Sequence, residues 1–192
     1  MRCYVTREID KSRRVMEKLL SSEQILTTLE TVAEVCVDAL HSDGKILFCG
    51  NGGSAADCQH LAGDLLSRLN FDRPGLASMA LTTDSAVMTG IGDDYGYERL
   101  FARQVEALGR EGDVLVGVST SGHSPSVLEG LKAAREKGMA TVGLTGNDGG
   151  EMTKLCEYLI IVPSKEKSKI QEGHIVLGHV LCGLIESTMF AE

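Results

Sequence analysis

Apolar positions along the chain alternate between two patterns. One repeats every three to four residues, as a helix facing a core does; the other is a short continuous run, as in a strand buried on both faces. Residues 6–20 and 23–42 read as helices. The second carries Ile25, Leu26, Leu29, Val32, Ala33, Cys36, Val37 and Leu40 on one stripe. KILFCG (45–50) is a buried-strand run, ended by Gly50-Asn51-Gly52-Gly53-Ser54 and a helical stretch over 54–69. A short strand follows around 78–81, after the Pro74-Gly75 break. Helices are predicted over 84–91 and 97–108, separated by Gly92-Asp93-Asp94-Tyr95-Gly96 as a loop. DVLVGV (113–118) is the clearest strand, and 125–137 reads as a helix with Pro125 in its first turn. Strands over 140–145 and 158–162 flank a turn at 146–150, and a long helix covers 168–189. Strands that alternate with helices predict an α/β fold, a doubly wound parallel sheet of about five strands with helices on both faces. No repeat, low-complexity stretch or linker interrupts residues 1–192, so one domain is expected.

Composition narrows the function. The chain has 192 residues, 43% hydrophobic and 24% charged, with 22 Gly, 3 Pro and no Trp. Lys plus Arg is 19 against 27 for Asp plus Glu, a formal net charge of −8. So acidic a chain has no general attraction for nucleic acid or an anionic membrane, and no partner of either kind is expected. An anionic ligand must therefore be held by a local device. Cys3, Cys36, Cys49, Cys58, Cys156 and Cys182 form no CxxC pair and read as buried, reduced thiols. The opening MRCYVTREIDKSRR has no apolar signal core, and no apolar run approaches the ~18 residues that span a bilayer. A cytoplasmic protein is expected.

Two polar loops sit between a strand and a helix. In GNGGS, glycines let backbone N–H groups approach an oxyanion, and the helix start adds partial positive charge. Ser54 followed by Asp57 also has the spacing of a capping box. Neither GxGxxG nor a Walker loop is present, which argues against a dinucleotide or ATP site. The second loop, STSGHS, offers hydroxyls at Ser119, Thr120, Ser121 and Ser124 beside helix-start amides. Such a nest suits a phosphate monoester without Lys or Arg. Its structural alternative is a set of turn and cap hydroxyls. Both loops should lie beyond the carboxyl ends of the strands, where open α/β sheets bind ligands.

His60 and Asp64 are four apart on one helix and can share a divalent metal or form a solvated ion pair. The last helix carries Gln171, Glu172, His174 and His179. Gln171 lies about 80° around the helix from His179, whereas Glu172, seven residues away, aligns better with it. By helix geometry alone, Glu172 is the favoured partner of His179. His41, His123 and His174 read as surface or hydrogen-bonded histidines.

The motifs CGNGGSAADCQH, TTD…GIGDDYGYE, GREGDVLVGVSTSGHSPSV, AAREKGM…LTGNDGGEM and KIQEGHIVLGH, in order from about residue 10 to the end, resemble the phosphoheptose isomerases of the sugar-isomerase (SIS) superfamily. The resemblance implies a homotetramer with active sites at subunit interfaces. It implies conversion of sedoheptulose 7-phosphate to D-glycero-D-manno-heptose 7-phosphate, the first step toward nucleotide-activated heptose. It also implies one zinc per subunit, held by His60, Asp64, Gln171 and His179, which puts Gln171 where helix geometry favours Glu172. Substrate contacts carried over by motif are Asn51, Gly52, Gly53, Ser54, Asp64, Asp93, Asp94, Ser119, Thr120, Ser121, Ser124 and Gln171. Arg68 falls where the family has a basic active-site residue. Asp64 and His179 take the positions of the family's acid/base pair for enediol proton transfer.

Two departures stand out. Asp64 replaces the family's usual Glu and is one methylene shorter; a misplacement of about 1 Å at a catalytic group can cost roughly 10²-fold. Asp93 replaces an Asn, adding a carboxylate near a phosphosugar. The alternatives are a non-catalytic, protein-binding SIS tetramer and an isomerase for a different phosphosugar.

Overall fold

The computed structural model describes residues 1–190. Among them, seven α-helices and five strands follow in the order α1 (Arg2–Leu20), α2 (Glu23–His41), β1 (Ile46–Gly50), α3 (Gly53–Leu66), β2 (Ser78–Ala80), α4 (Ser85–Tyr95), α5 (Leu100–Leu108), β3 (Val114–Ser119), α6 (Pro125–Glu136), β4 (Ala140–Thr145), β5 (Tyr158–Ile161) and α7 (Lys167–Phe190). The strands form one sheet in the order β2-β1-β3-β4-β5. Every pairing is parallel; β1 lies between β2 and β3, with Ile46 opposite both Ser78 and Val114.

Alternation along the strands splits the core in two. Ile46 and Phe48 of β1, with Val114, Val116 and Val118 of β3, pack with α1, α2, α3 and α7. Leu47, Cys49 and Leu115 point the other way, against α5 and α6. Strands covered on both faces have no solvent side, which explains their continuous apolar runs. The expected doubly wound sheet is the observed one.

Local chemistry sets the helix ends. The Ser22 side chain caps α2 by accepting from the Ile25 N–H at 3.4 Å. Asp84 caps α4 by accepting from the Ala86 and Val87 amides, each at 3.0 Å. The predicted loop over 92–96 is wrong: α4 runs through Gly92, Asp93 and Asp94 to Tyr95, and only Gly96, at φ +86°, breaks it. Glycine lowers helix propensity by about 1 kcal/mol but does not forbid a helix. The turn after β4 contains a short 3₁₀ helix over Gly150–Lys154. The capping box at Ser54 does not form. Gly52, at φ +59°, is the α3 cap residue, and Ser54 is buried inside the first turn.

All six cysteines are unpaired; Cys36, Cys49, Cys58 and Cys182 are buried, whereas Cys3 is exposed, contrary to expectation. Burial pushes the Cys36 thiol up to about 12. α7 is long and apolar enough to span a bilayer by length and composition alone, although no unbroken apolar run in it reaches that length. Its Ile170, Leu177, Leu181 and Ile185 are instead buried in the core with α2 and α3.

Candidate active site at the sheet switch point

From β1 the chain goes outward to β2, then returns to β3 on the other side of β1. Strand order reverses between β1 and β3, and open α/β sheets bind ligands at such a crevice. GNGGS leaves β1 here and STSGHS leaves β3. The first loop is tied to the helix that follows the second: the Asn51 side-chain amide donates to Ser126 Oγ, in the first turn of α6, at 2.9 Å. Tyr97 Oη donates to Asn51 Oδ1 at 2.7 Å, anchoring the segment after α4 to the same loop.

The STSGHS hydroxyls are not used as caps. Ser124 occupies the cap position of α6 but makes no side-chain bond to the helix amides. Its hydroxyl instead lies 2.9 Å from Ser119 Oγ. Ser121 Oγ accepts from the His123 N–H at 3.2 Å. Gly122 is required: at φ +69° a Cβ would collide with the Gly149 carbonyl. The Asn147 amide holds the Thr120 carbonyl at 3.0 Å from behind. The first-turn N–H groups of α6 are thus left without a side-chain cap at the mouth of the loop, the arrangement that receives a phosphate.

A second cluster lies where α3 and α7 run side by side in the same direction. The contacts keep a nearly constant offset: Gln171 packs over Gly53, Leu61 fills the space at Gly178, and the Cys182 thiol reaches the Leu61 carbonyl at 3.7 Å. His60 and His179 therefore meet, Nε2 to Nε2, at 2.9 Å. Asp64 Oδ2 is 3.6 Å from His60 Nε2 and 3.8 Å from His179 Nε2. One ligand atom from each of the three lies within 4.8 Å of the others. Asp64 Oδ2 is buried and has no hydrogen-bond partner. An unpartnered buried carboxylate oxygen is costly, and two imidazole nitrogens converging on it are a donor set suited to zinc. The residues fit a divalent ion.

Other predicted positions are placed as follows. Gln171 sets its amide over Gly53, two helical turns from His179, so it borders the GNGGS loop. Glu172 does not join His179, contrary to the preference from helix geometry. It faces α1: Lys169, three residues earlier on α7, donates to it at 2.8 Å and to Ser12 of α1 at 3.0 Å. Asp93 and Asp94 stand exposed on the last turn of α4. Arg68 is exposed just beyond α3. His174 is buried; its Nε2 lies 3.1 Å from the Thr145 carbonyl.

Arg73 and Glu186 escaped the sequence reading. The guanidinium donates to the carbonyls of Leu65 at 2.6 Å and Asp64 at 2.8 Å, closing the C-terminal end of α3. It also donates to Glu186 Oε1 of α7 at 3.1 Å. Glu186 in turn accepts from the Leu69 and Asn70 amides at 2.9 and 2.8 Å. This buried strut fixes the end of α3 that carries Asp64 against the helix that carries His179.

Residues 9–146 match the family model described as the SIS domain, and the chain belongs to that family. Across 98% of its length it is 55% identical to the phosphoheptose isomerase of Burkholderia pseudomallei, covering 96% of that protein. The phosphoheptose isomerase of Aneurinibacillus thermoaerophilus is 51% identical over 99% of the chain and 96% of its own length. The solved phosphoheptose isomerase from Neisseria gonorrhoeae superposes with a TM-score of 0.90 at 42% identity, over 97% of this chain and 98% of that one. Within the SIS family the chain is a member of the phosphoheptose isomerases.

Proposed function

We infer that the chain is an aldose–ketose isomerase that converts sedoheptulose 7-phosphate to D-glycero-D-manno-heptose 7-phosphate. It acts as one SIS domain over residues 1–192, assembled as a homotetramer in the cytoplasm, with one zinc per subunit held by His60, Asp64 and His179 and with Gln171 as fourth ligand. Full-length likeness to phosphoheptose isomerases supports the substrate. The observation that carries the chemistry is the buried, unpartnered Oδ2 of Asp64 between two histidines.

The residues divide the work. Ser119, Thr120, Ser121 and Ser124 bind the phosphate by hydroxyls and the α6 amides. Asn51, Gly52, Gly53, Ser54 and Gln171 line the path from that nest along α3, with Asp93 and Asp94 contributing from the end of α4. A seven-carbon chain with its phosphate in the nest extends its carbonyl end toward the trio. Asp64 takes the proton from the carbon next to the carbonyl and returns it to the neighbouring carbon. His179, through whichever ring nitrogen the ion leaves free, moves the matching proton between the two oxygens, so an enediol forms and collapses without free charge. When bound, zinc polarises the carbonyl oxygen as a Lewis acid. Arg73 and Glu186 keep Asp64 and His179 in register.

The test is the isomerisation rate of three proteins on sedoheptulose 7-phosphate. Asp64→Asn keeps the shape and removes the base, so turnover falls by at least roughly 10²-fold. Asp64→Glu restores the reach of the family residue and retains or raises turnover. An Asp64→Asn protein as fast as the parent overturns the assignment. A parent without turnover beside an active Asp64→Glu overturns activity of the natural chain and leaves the site intact.

A further inference from the structure

A second feature lies outside this site. Between α1 and the start of α7 is a cleft of about 410 Å³ lined by Lys11, Arg14, Lys18, Lys165, Lys169 and Glu166. In a chain with 19 basic and 27 acidic residues, five cations around one cleft run against the average charge. They come from two walls. Lys11, Arg14 and Lys18 stand at i, i+3 and i+7 on α1, one stripe of one helix. Lys165, just before α7, and Lys169, in its first turn, face them.

The cations are only partly neutralised. Lys11 is paired with both Glu166 at 2.7 Å and Glu8 at 3.2 Å, and Arg14 leans to Asp10 at 2.7 Å. Lys169 is 6% exposed and donates to Ser12 at 3.0 Å and Glu172 at 2.8 Å. Lys18 and Lys165, both exposed, form no ion pair among the described residues. The first turn of α7 holds Lys167 and Lys169 and no acidic residue. Positive side chains at the positive end of a helix dipole are unfavourable. Gathered cations of this kind are relieved by an anion between them.

We propose that this cleft is a second anion site that binds a small phosphorylated metabolite of two or more negative charges. Two opposing walls of cations match a ligand with more than one charge, and the volume is that of a small-molecule site. It is separate from the serine nest but adjoins it. Asn147 lines the cleft and its side-chain amide holds the Thr120 carbonyl of the nest at 3.0 Å. Residues of the isomerase reading take no part in it, so the two stand or fall independently.

The experiment is calorimetric titration of the purified full-length protein with pyrophosphate. The Ser119→Ala, Ser121→Ala protein, with its nest disabled, still binds about one pyrophosphate per chain. Adding Lys18→Glu and Lys165→Glu to it weakens that binding at least tenfold; both positions are exposed, and circular dichroism checks the fold. The Lys18→Glu, Lys165→Glu protein alone keeps its isomerase rate within about twofold. Loss of all binding in the nest variant, or binding indifferent to the charge reversals, overturns the proposal. So does an isomerase rate that falls with them, since the cleft would then belong to the catalytic site.

Discussion

The Nε2 atoms of His60 and His179 lie 2.9 Å apart, although 119 residues separate them in sequence. One of the two must donate and the other accept, so as a bare pair they can satisfy only each other. Asp64 Oδ2, buried within 4 Å of both, has no hydrogen-bond partner. A divalent ion gives all three a partner at once. Zinc should therefore stabilise the protein by about 2.7 kcal/mol at a hundredfold excess over Kd. That is a rise of roughly 5–10 °C in Tm for a chain of this size. His60→Ala with His179→Ala should abolish the rise in a thermal melt. A zinc-dependent rise that survives the double change would place the ion elsewhere.

The nest at Ser119–Ser124 predicts a split in kinetics. Its hydroxyls grip a phosphate far from the reacting carbons, alike in ground and transition states, and uniform binding sets KM. Ser119→Ala with Ser121→Ala should raise KM for sedoheptulose 7-phosphate about tenfold or more and change kcat little. An unchanged KM in steady-state assays would leave these hydroxyls as loop structure only.

His174 makes stability depend on pH. Burial, opposed by its hydrogen bond to the Thr145 carbonyl, lowers its pKa from 6.5 to about 4. A carbonyl only accepts, so Nε2 carries the proton and Nδ1, which has no partner, is bare. The unfolded chain takes up the extra proton first. Stability from this group is complete above pH 6.5 and drains away as pH falls toward 4, by about 3 kcal/mol. His174→Gln should flatten that part of the profile, read by urea denaturation at pH 7, 5.5 and 4.5. An equally steep loss in the variant would assign the acid sensitivity to other groups.

The Arg73–Glu186 strut predicts a large single-residue effect. The two side chains are 2% and 0% exposed. Burial alone would raise the Glu186 pKa, but the Leu69 and Asn70 amides and the Arg73 guanidinium outweigh it and hold it below the usual carboxylate range. Arg73→Met leaves that carboxylate buried without its cation and should cost about 3–5 kcal/mol in denaturant unfolding. Zinc affinity should weaken as well, because the Asp64 end of α3 loses its hold on α7. A stability loss below about 1 kcal/mol would mean that the strut is dispensable.

Much of the architecture was legible because it rests on local pattern. KILFCG and DVLVGV are continuous apolar runs because strands covered on both faces allow no polar position, and they became β1 and β3. The α2 stripe, and the His60–Asp64 pair with its four-residue spacing, follow from helix period alone. Both polar loops could be placed at strand ends because glycine and hydroxyl clusters interrupt apolar runs. The end of α4 is not legible in the sequence, since Gly92 looks like a break but the helix carries both Gly90 and Gly92 while its neighbours continue.

Only tertiary packing decided the rest. Periodicity put Glu172 and His179 on one face of α7 but does not say which helix covers each part of that face. α1 lies against the first turns and takes Glu172 through Lys169, whereas α3 covers the later turns and brings His60 and Asp64 to His179. Arg73 and Glu186, 113 residues apart, carry no local signal at all. In sequence, one is a charge beside a proline and the other a charge near the end of an apolar helix. A buried ion pair has no period and no spacing rule. Its partners are set by which surfaces the fold presses together, and the packing of α3 on α7 makes that choice.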